Sequence, residues 1–229
     1  MEGCGRKIGP YPCCSIITGD AKELAKAIPD ESVDLIFTDP PYSLDSVDLY
    51  GWVAEAGSRL LKDDGFVLAM AGGMYLDRIF ELMGGHLRFF WKYEIGLTGW
   101  AAGVLWPYGN TRVNIVTRCK PLLAYCKGRA LPRTSTLGLF SGSGEDKRFH
   151  AWGQDEASTR YYIDCFSAVG DVVVDFFCGG GTTAAMCTQL RRHYLAFEIV
   201  PEVAEEARER VRNTQPPLFI PQPEQGSLL

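Results

Sequence analysis

The chain has 229 residues, with 23 Lys and Arg against 28 Asp and Glu for a formal charge of −5, and 46% of its residues are hydrophobic. Disorder is excluded, because it needs few apolar residues and a high net charge, and the length suits one elaborated domain or two small ones. No run approaches the roughly 20 apolar residues of a membrane helix, and no apolar secretory core follows the charged start Met1-Glu2-Gly3-Cys4-Gly5-Arg6-Lys7. The expectation is a soluble, cytoplasmic protein with no membrane partner. At first sight the acidic balance also argues against a nucleic-acid partner.

Strand and helix patterns alternate from the N-terminal side. Cys14 to Thr18 reads as a short buried strand, Ala21 to Ile28 as a helix, and Val33 to Phe37 as a second strand. A helix follows over about Val47 to Leu61, then a strand from Phe66 to Met70 and a helix from Leu76 to Met83. From Leu87 to Cys126 aromatic and β-branched residues dominate, which predicts antiparallel strands. Residues 128–153 are rich in Gly, Ser, Thr, Pro and Arg without periodicity and read as an irregular insert. The alternation then resumes: helix Glu156 to Phe166, strand Val172 to Phe177, helix Thr182 to Leu190, strand Tyr194 to Ile199, helix Pro201 to Arg212. This is α/β wiring with a mostly parallel sheet, and the unbroken Val172-Val173-Val174 fits a strand buried on both faces. Residues 214–229, with four prolines, read as an extended tail.

Eight cysteines include no Cys-x-x-Cys pair and only three histidines accompany them, so reduced, mostly buried thiols are expected and no metal.

Two segments carry chemistry. The strand ending at Phe37 runs into Thr38-Asp39-Pro40-Pro41-Tyr42, and ligands of open α/β sheets sit just beyond the carboxyl ends of strands. Asp39 supplies a carboxylate acceptor, Pro40 a carbonyl on a backbone of fixed φ, and Tyr42 a flat face. Such a set clamps a planar ring bearing an exocyclic NH₂, adenine or cytosine; the alternative is a Pro-rich turn in which Asp39 only caps. The second segment is Asp175-Phe176-Phe177-Cys178-Gly179-Gly180-Gly181-Thr182-Thr183, which follows a strand and opens a helix. Its glycines let backbone approach a ligand closely, and Glu198, ending the next strand, stands where an acceptor for ribose hydroxyls is expected. A Gly-rich turn of this kind supports a nucleoside-containing cofactor.

Together the two motifs resemble those of β-class DNA amino-methyltransferases, which methylate N6 of adenine or N4 of cytosine using S-adenosylmethionine. The catalytic motif comes first and the cofactor motif last, as in that permuted class, and the resemblance spans residues 14–213. It implies a Rossmann-like, class I methyltransferase fold with permuted motif order, built from a catalytic half over 1–127, a target-recognition insert over 128–153 and a cofactor half over 154–213. Asp39, Pro40 and Tyr42 are then catalytic, with Tyr42 stacking on a flipped base. The S-adenosyl-L-methionine site is expected from Asp20, Ala21, Asp39, Asp175, Phe177, Cys178, Gly179, Gly181, Thr182 and Glu198, although Asp20 also has the chemistry of a helix N-cap. The segment His150-Ala151-Trp152-Gly153-Gln154-Asp155 matches the family's upstream cofactor motif only in part, so roles for Trp152 and Gln154 near the methionine end rest on that partial match.

The family's usage of Asp-Pro-Pro-Tyr favours adenine N6, with cytosine N4 as the nearest alternative; a protein glutamine methyltransferase, an inactive DNA- or cofactor-binding module and a nicotinamide dehydrogenase fit less of the pattern. Pro12-Cys13 lies ahead of the first strand, outside the place a cytosine-C5 nucleophile takes. The resemblance further implies a bacterial or phage-encoded, nucleoid-associated enzyme of duplex DNA, from a restriction-modification system or an orphan. The small insert points to a short DNA site or to help from a second subunit in a homodimer. Gln215-Pro216-Pro217-Leu218-Phe219 faintly resembles sliding-clamp-binding peptides, against the plainer reading of a solvated tail.

The mean charge hides a segregation. From Asn110 to His150 eight basic residues, Arg112, Arg118, Lys120, Lys127, Arg129, Arg133, Lys147 and Arg148, face two acidic ones, a net +6, while the remainder carries −11. A basic middle segment is what phosphate contacts require, so these eight are the expected DNA-binding residues.

Overall fold

The computed structural model describes residues 5–96, 104–108, 111–141 and 155–214, with 104–117 by backbone alone. A small hairpin that no periodicity announces opens the chain, β1 (Lys7–Ile8) with β2 (Tyr11–Pro12). The first α/β run comprises β3 (Ser15–Thr18), α1 (Ala21–Leu24) extended by a 3-10 turn, β4 (Val33–Thr38), α2 (Asp48–Leu60), β5 (Leu61–Met70) and α3 (Leu76–Gly84). Then come β6 (Arg88–Gly96), β7 (Val104–Tyr108), β8 (Thr111–Thr117), β9 (Cys119–Cys126) and β10 (Leu139–Ser141). The second run is α4 (Glu156–Phe166), β11 (Val172–Asp175), α5 (Thr182–Gln189), β12 (His193–Glu198) and α6 (Pro201–Arg212).

Eight strands form one sheet in the order β10-β6-β9-β5-β4-β11-β12-β3. Only β9 runs antiparallel, to both β5 and β6. Alternation along the central strands sends side chains to opposite faces, and each face has its own core. Leu35, Phe37, Phe66, Leu68 and Val173 pack with α4, α5 and α6, through residues such as Tyr162, Ala184 and Ala204. Ile36, Val67, Ala69, Val172 and Val174 pack with α1, α2 and α3, through Ala21, Val53 and Ile79. The expected three-layer α/β architecture is therefore present.

Helix α5 departs from amphipathic periodicity because it is buried all round: every residue from Thr182 to Thr188 is covered. Helix α6 buries Ala204, Ala207 and Arg210 at intervals of three along one stripe. The chain enters α5 at Gly181 with φ +76°, and a Cβ there would stand 2.9 Å from that of Ala207. Glycine thus lets α5 and α6 meet.

The expectation of an irregular stretch over 128–153 is corrected in its described part. Leu139–Ser141 pairs parallel with β6 as an edge strand. The preceding loop is stitched down by Glu94 N–H on the Gly138 carbonyl at 2.9 Å, the Leu137 N–H on Tyr161 Oη at 2.8 Å, and Tyr93 Oη on Thr136 Oγ1 at 2.8 Å. Three residues are too short for a periodic signal, and pairing to a neighbour distant in sequence decides the strand. The remainder, 142–154, lies outside the described residues, as does the tail from 215.

Candidate active site

Strands β4 and β11 are neighbours, yet the chain leaves β4 for α2 on one face and β11 for α5 on the other. This is a topological switch point, where the two departing loops part and leave a crevice beyond the carboxyl ends of the strands. All four adjacent strands β4, β11, β12 and β3 end on this rim. They bring Asp39-Pro40-Pro41-Tyr42, Asp175 to Thr182, Glu198 and Asp20-Ala21 side by side, though these span 178 positions of sequence.

Thr38 joins the two motif loops. It is fully buried, donates from Oγ1 to Asp175 Oδ1 at 3.0 Å and accepts the Phe176 N–H at 3.2 Å. Asp175 Oδ1 also accepts the Phe177 N–H at 3.1 Å. This carboxyl, 2% exposed, is a brace between β4 and β11 beneath the crevice. Burial raises its pKa from 3.8 to about 7, against the opposing hydrogen bonds of Thr183, Phe177 and Thr38. Because the folded carboxyl binds its proton more tightly than the unfolded one, its contribution to stability is greatest below about pH 4 and falls as pH rises towards 7. Asp175→Asn keeps an acceptor for both donors and cannot ionise. Its stability relative to the parent, measured by urea unfolding, should therefore improve between pH 5 and pH 8; a pH-independent difference would refute the assignment.

Beyond the brace, the glycine loop turns through Gly179 with φ +46°, where an added Cβ would meet nothing within 4 Å. Open space at this backbone is what a closely approaching ligand needs. Glu198 ties the loop to β12: Oε2 accepts the Gly179 N–H at 3.0 Å and Oε1 the Val200 N–H at 3.0 Å. Cys178 is buried, and desolvation pushes its thiol well above the ordinary value, so it faces the core as a neutral group. Thr182 is likewise covered and receives a hydrogen bond from Arg210. On the neighbouring strand, Asp20 caps α1 by accepting the Lys22 N–H at 2.8 Å, and Ala21 packs inward. Trp52 of α2 stands at the same crevice, 4.9 Å from the Phe176 ring and 6.2 Å from Phe177 between centroids.

At the end of β4, Tyr42 Oη donates to Asp39 Oδ1, while Lys120 Nζ lies 3.5 Å from Asp39 Oδ2 and 5.3 Å from the Tyr42 ring centroid. Both oxygens of Asp39 thus face donors. Next to this clamp Leu44 and Val47 line a cleft whose other wall runs from Gly73 to Arg78.

The structure divides the eight basic residues. Lys120 begins β9 at the catalytic rim, and exposed Arg118 precedes it. Lys127, Arg129 and Arg133 follow the other end of β9, roughly 20 Å away at about 3.4 Å per residue. There Lys127 pairs with Glu31 at 3.1 Å, Arg133 pairs with Asp171 at 3.1 Å, and the Arg129 N–H meets Asp64 Oδ1 at 3.3 Å. The expectation that all eight form one DNA surface is corrected for these three, because a strand carries the ends of a contiguous basic segment to opposite rims. Arg112 lies in β8, of which the backbone alone is described, and Lys147 and Arg148 fall outside the described residues. The excursions that hold them join the catalytic rim, however. Residues 97–118 leave from the end of β6 and return at the start of β9, and 142–154 leave from the end of β10 and return at the start of α4.

Two further residues matter that no motif marked. Thr38 is one. Arg210, 3% exposed, donates to the Gly180 carbonyl at 3.1 Å, to Thr182 Oγ1 at 2.9 Å and to Glu156 Oε1 at 2.6 Å. A cation on the Ala204-Ala207-Arg210 stripe, otherwise apolar, was the available signal.

Among the described residues no helix is long and apolar enough to cross a membrane. Comparison with known proteins agrees with the site. Residues 134–209 match the family model of N6/N4 methyltransferases, described as DNA methylase. The "Putative methylase YubD" of Escherichia coli (strain K12) is 27% identical over 221 residues, covering 87% of this chain and 90% of that one. Among solved structures, the PvuII DNA methyltransferase (cytosine-N4-specific) superposes with a TM-score of 0.73 at 19% identity, over 86% of this chain and 85% of that one. A DNA modification methylase of Thermus thermophilus, TTHA0409, complexed with S-adenosyl-L-methionine, superposes with a TM-score of 0.71 at 21% identity, over 88% and 94%. With the matched pattern, the shared fold and a crevice that unites the two motifs at one switch point, the chain belongs to the DNA methylase family of N6/N4 methyltransferases.

Proposed function

We propose that this protein transfers a methyl group from S-adenosyl-L-methionine to the exocyclic N6 amine of an adenine flipped out of duplex DNA. The observation that carries the reading is the adjacency of the two loops: Thr38, the residue before the Asp39 clamp, is bonded at 3.0 Å to Asp175, the residue that opens the glycine loop. A methyl donor held by one loop and an amine held by the other would meet across that seam.

The residues present fit the cofactor. Gly179 leaves open space, the helix start after Gly181 offers backbone N–H groups for a carboxylate, and Glu198 retains lone pairs for ribose hydroxyls beyond the two N–H bonds it accepts. Asp20, Ala21 and Trp52 border the adjoining end of the crevice, where an adenine ring would rest. Bound there, the cofactor supplies an electrophilic methyl group.

The chain's own task is to prepare the nucleophile. The lone pair of an aromatic amine is delocalised into its ring. Hydrogen bonds from the two N–H groups to Asp39 and to the Pro40 carbonyl favour a pyramidal nitrogen with its lone pair directed outward. Tyr42 replaces part of the stacking lost on flipping. Lys120 covers the face of Tyr42 and one oxygen of Asp39, so an entering base displaces it and inherits both contacts. Arg112, Arg118, Lys147 and Arg148, on the two excursions that join this rim, are the proposed phosphate contacts, with target recognition assigned to the same excursions. The halves 1–127 and 154–213 then supply the catalytic and cofactor sides of one domain.

Cytosine N4 is the second reading, since a structural neighbour is named for that specificity. Incubating the protein with labelled S-adenosyl-L-methionine and duplex DNA, then digesting to nucleosides for mass analysis, decides between them. N6-methyladenine is expected. N4-methylcytosine would overturn the choice of base, and absence of either would overturn the activity.

A further inference from the structure

We infer that Cys13, Cys14 and His193 bind a zinc ion at the rim of the sheet opposite the active site. The Cys13 Sγ lies 2.9 Å from His193 Nδ1 and 3.4 Å from Cys14 Sγ, and Cys14 Sγ lies 3.8 Å from the same nitrogen. All three donor atoms fall within 4.8 Å of one another. Zinc holds sulfur at about 2.3 Å and imidazole nitrogen at about 2.0–2.1 Å in tetrahedral geometry, which separates neighbouring donors by about 3.5–3.8 Å. An ion therefore requires only small shifts in the two shorter separations, within the reach of side-chain rotations.

Backbone conformation makes the arrangement specific. Adjacent residues in an extended chain point to opposite sides, so neighbouring cysteines ordinarily cannot share a ligand. Here Cys14 takes the left-handed conformation, φ +60°, which turns both sulfurs to the same side. Backbone bonds hold them there: Cys13 N–H to the Arg6 carbonyl at 2.9 Å and Cys14 N–H to the Tyr194 carbonyl at 2.8 Å. His193 reaches them because it is the first residue of β12, whose pairing with β3 sets Leu195 beside Ser15.

Two thiols and an imidazole form a borderline-soft donor set that favours zinc over the hard cations magnesium and calcium. Binding converts both thiols to thiolates with release of two protons, leaves the imidazole neutral, and keeps a fourth position for water. Both cysteines are at most 9% exposed, so the ion would be largely shielded. Its role is structural, clamping the β1–β2 hairpin to the start of β12. Glu198, at the other end of β12, marks the catalytic rim, so the inference stands apart from the proposed methyl transfer.

The test uses the full chain, stripped of metal with a chelator under reducing conditions and titrated with Co²⁺ as a spectroscopic substitute. Saturation at one ion per chain is expected, with thiolate-to-cobalt charge transfer, intense tetrahedral ligand-field bands and loss of colour on adding Zn²⁺. Those bands should vanish in the Cys13→Ser/Cys14→Ser double variant and weaken in His193→Ala. Alkylation mapped by peptide mass gives a readout on the unmutated chain: Zn²⁺ should slow modification of Cys13 and Cys14 without changing that of Cys119. Absence of the charge-transfer band in the parent, its persistence in the double variant, or equal alkylation with and without Zn²⁺ would each overturn the site.

Discussion

Asp39→Ala is expected to lower the rate of methyl transfer by at least about 10²–10³-fold, the scale on which loss of one group aimed at the reacting centre is felt. Affinity for S-adenosyl-L-methionine should stay within a few fold. The separation follows from geometry. Asp39 stands one residue beyond Thr38, whose bonds to Asp175 and Phe176 brace the glycine loop and are untouched by the substitution. What disappears is the acceptor for the target amine and the partner of Tyr42 Oη and Lys120 Nζ. Single-turnover rates and cofactor binding by calorimetry measure the two quantities independently. Retained turnover would remove Asp39 from the mechanism, and equal loss of both would make it a scaffold residue.

Arg210→Ala should destabilise the fold by about 3–5 kcal/mol, the usual cost of removing one partner of a buried ion pair. The guanidinium bridges three elements. It satisfies the Gly180 carbonyl and Thr182 Oγ1 at the start of α5, and it reaches Glu156 at the start of α4. Its side chain is 2% exposed, so nothing from solvent replaces it readily, whereas Glu156, at 36%, keeps some access to water and holds the cost towards the lower end. Urea unfolding should show a lower midpoint with an unchanged slope. Arg210→Lys should recover only part of the loss, because an ammonium lacks the planar fork that serves three acceptors. Loss of the brace should also weaken cofactor binding, since Gly179–Gly181 is the loop it steadies. A change below about 1 kcal/mol would show that the bridge is replaced by water.

Much of this molecule is legible in its sequence, for a physical reason. The strands Val33–Thr38 and Val172–Asp175 are short apolar runs that end in turn chemistry, and α4 and α6 carry periodic apolar faces, so each element is encoded within a dozen residues. The chemistry of Asp39-Pro40-Pro41-Tyr42 and of the glycine loop is equally local. Their order along the chain, catalytic first, carries the family resemblance that the family model and the fold support.

What the linear pattern conceals depends on partners far away in sequence. Thr38 and Asp175 are 137 positions apart and meet only because β4 and β11 pair. The basic segment looked like one patch, yet β9 runs across the sheet and leaves Lys120 beside Asp39 while Lys127 pairs with Glu31 on the opposite rim. Cys13 and His193, 180 positions apart, showed no metal spacing and came together through the register of β3 on β12. Local sequence determines elements and loop chemistry, because propensity, capping and periodicity act over a few residues. Which loops share a rim, which charges are neutralised and which thiols meet a histidine were decided by sheet order and strand direction, because pairing and burial act between segments that the chain itself keeps apart.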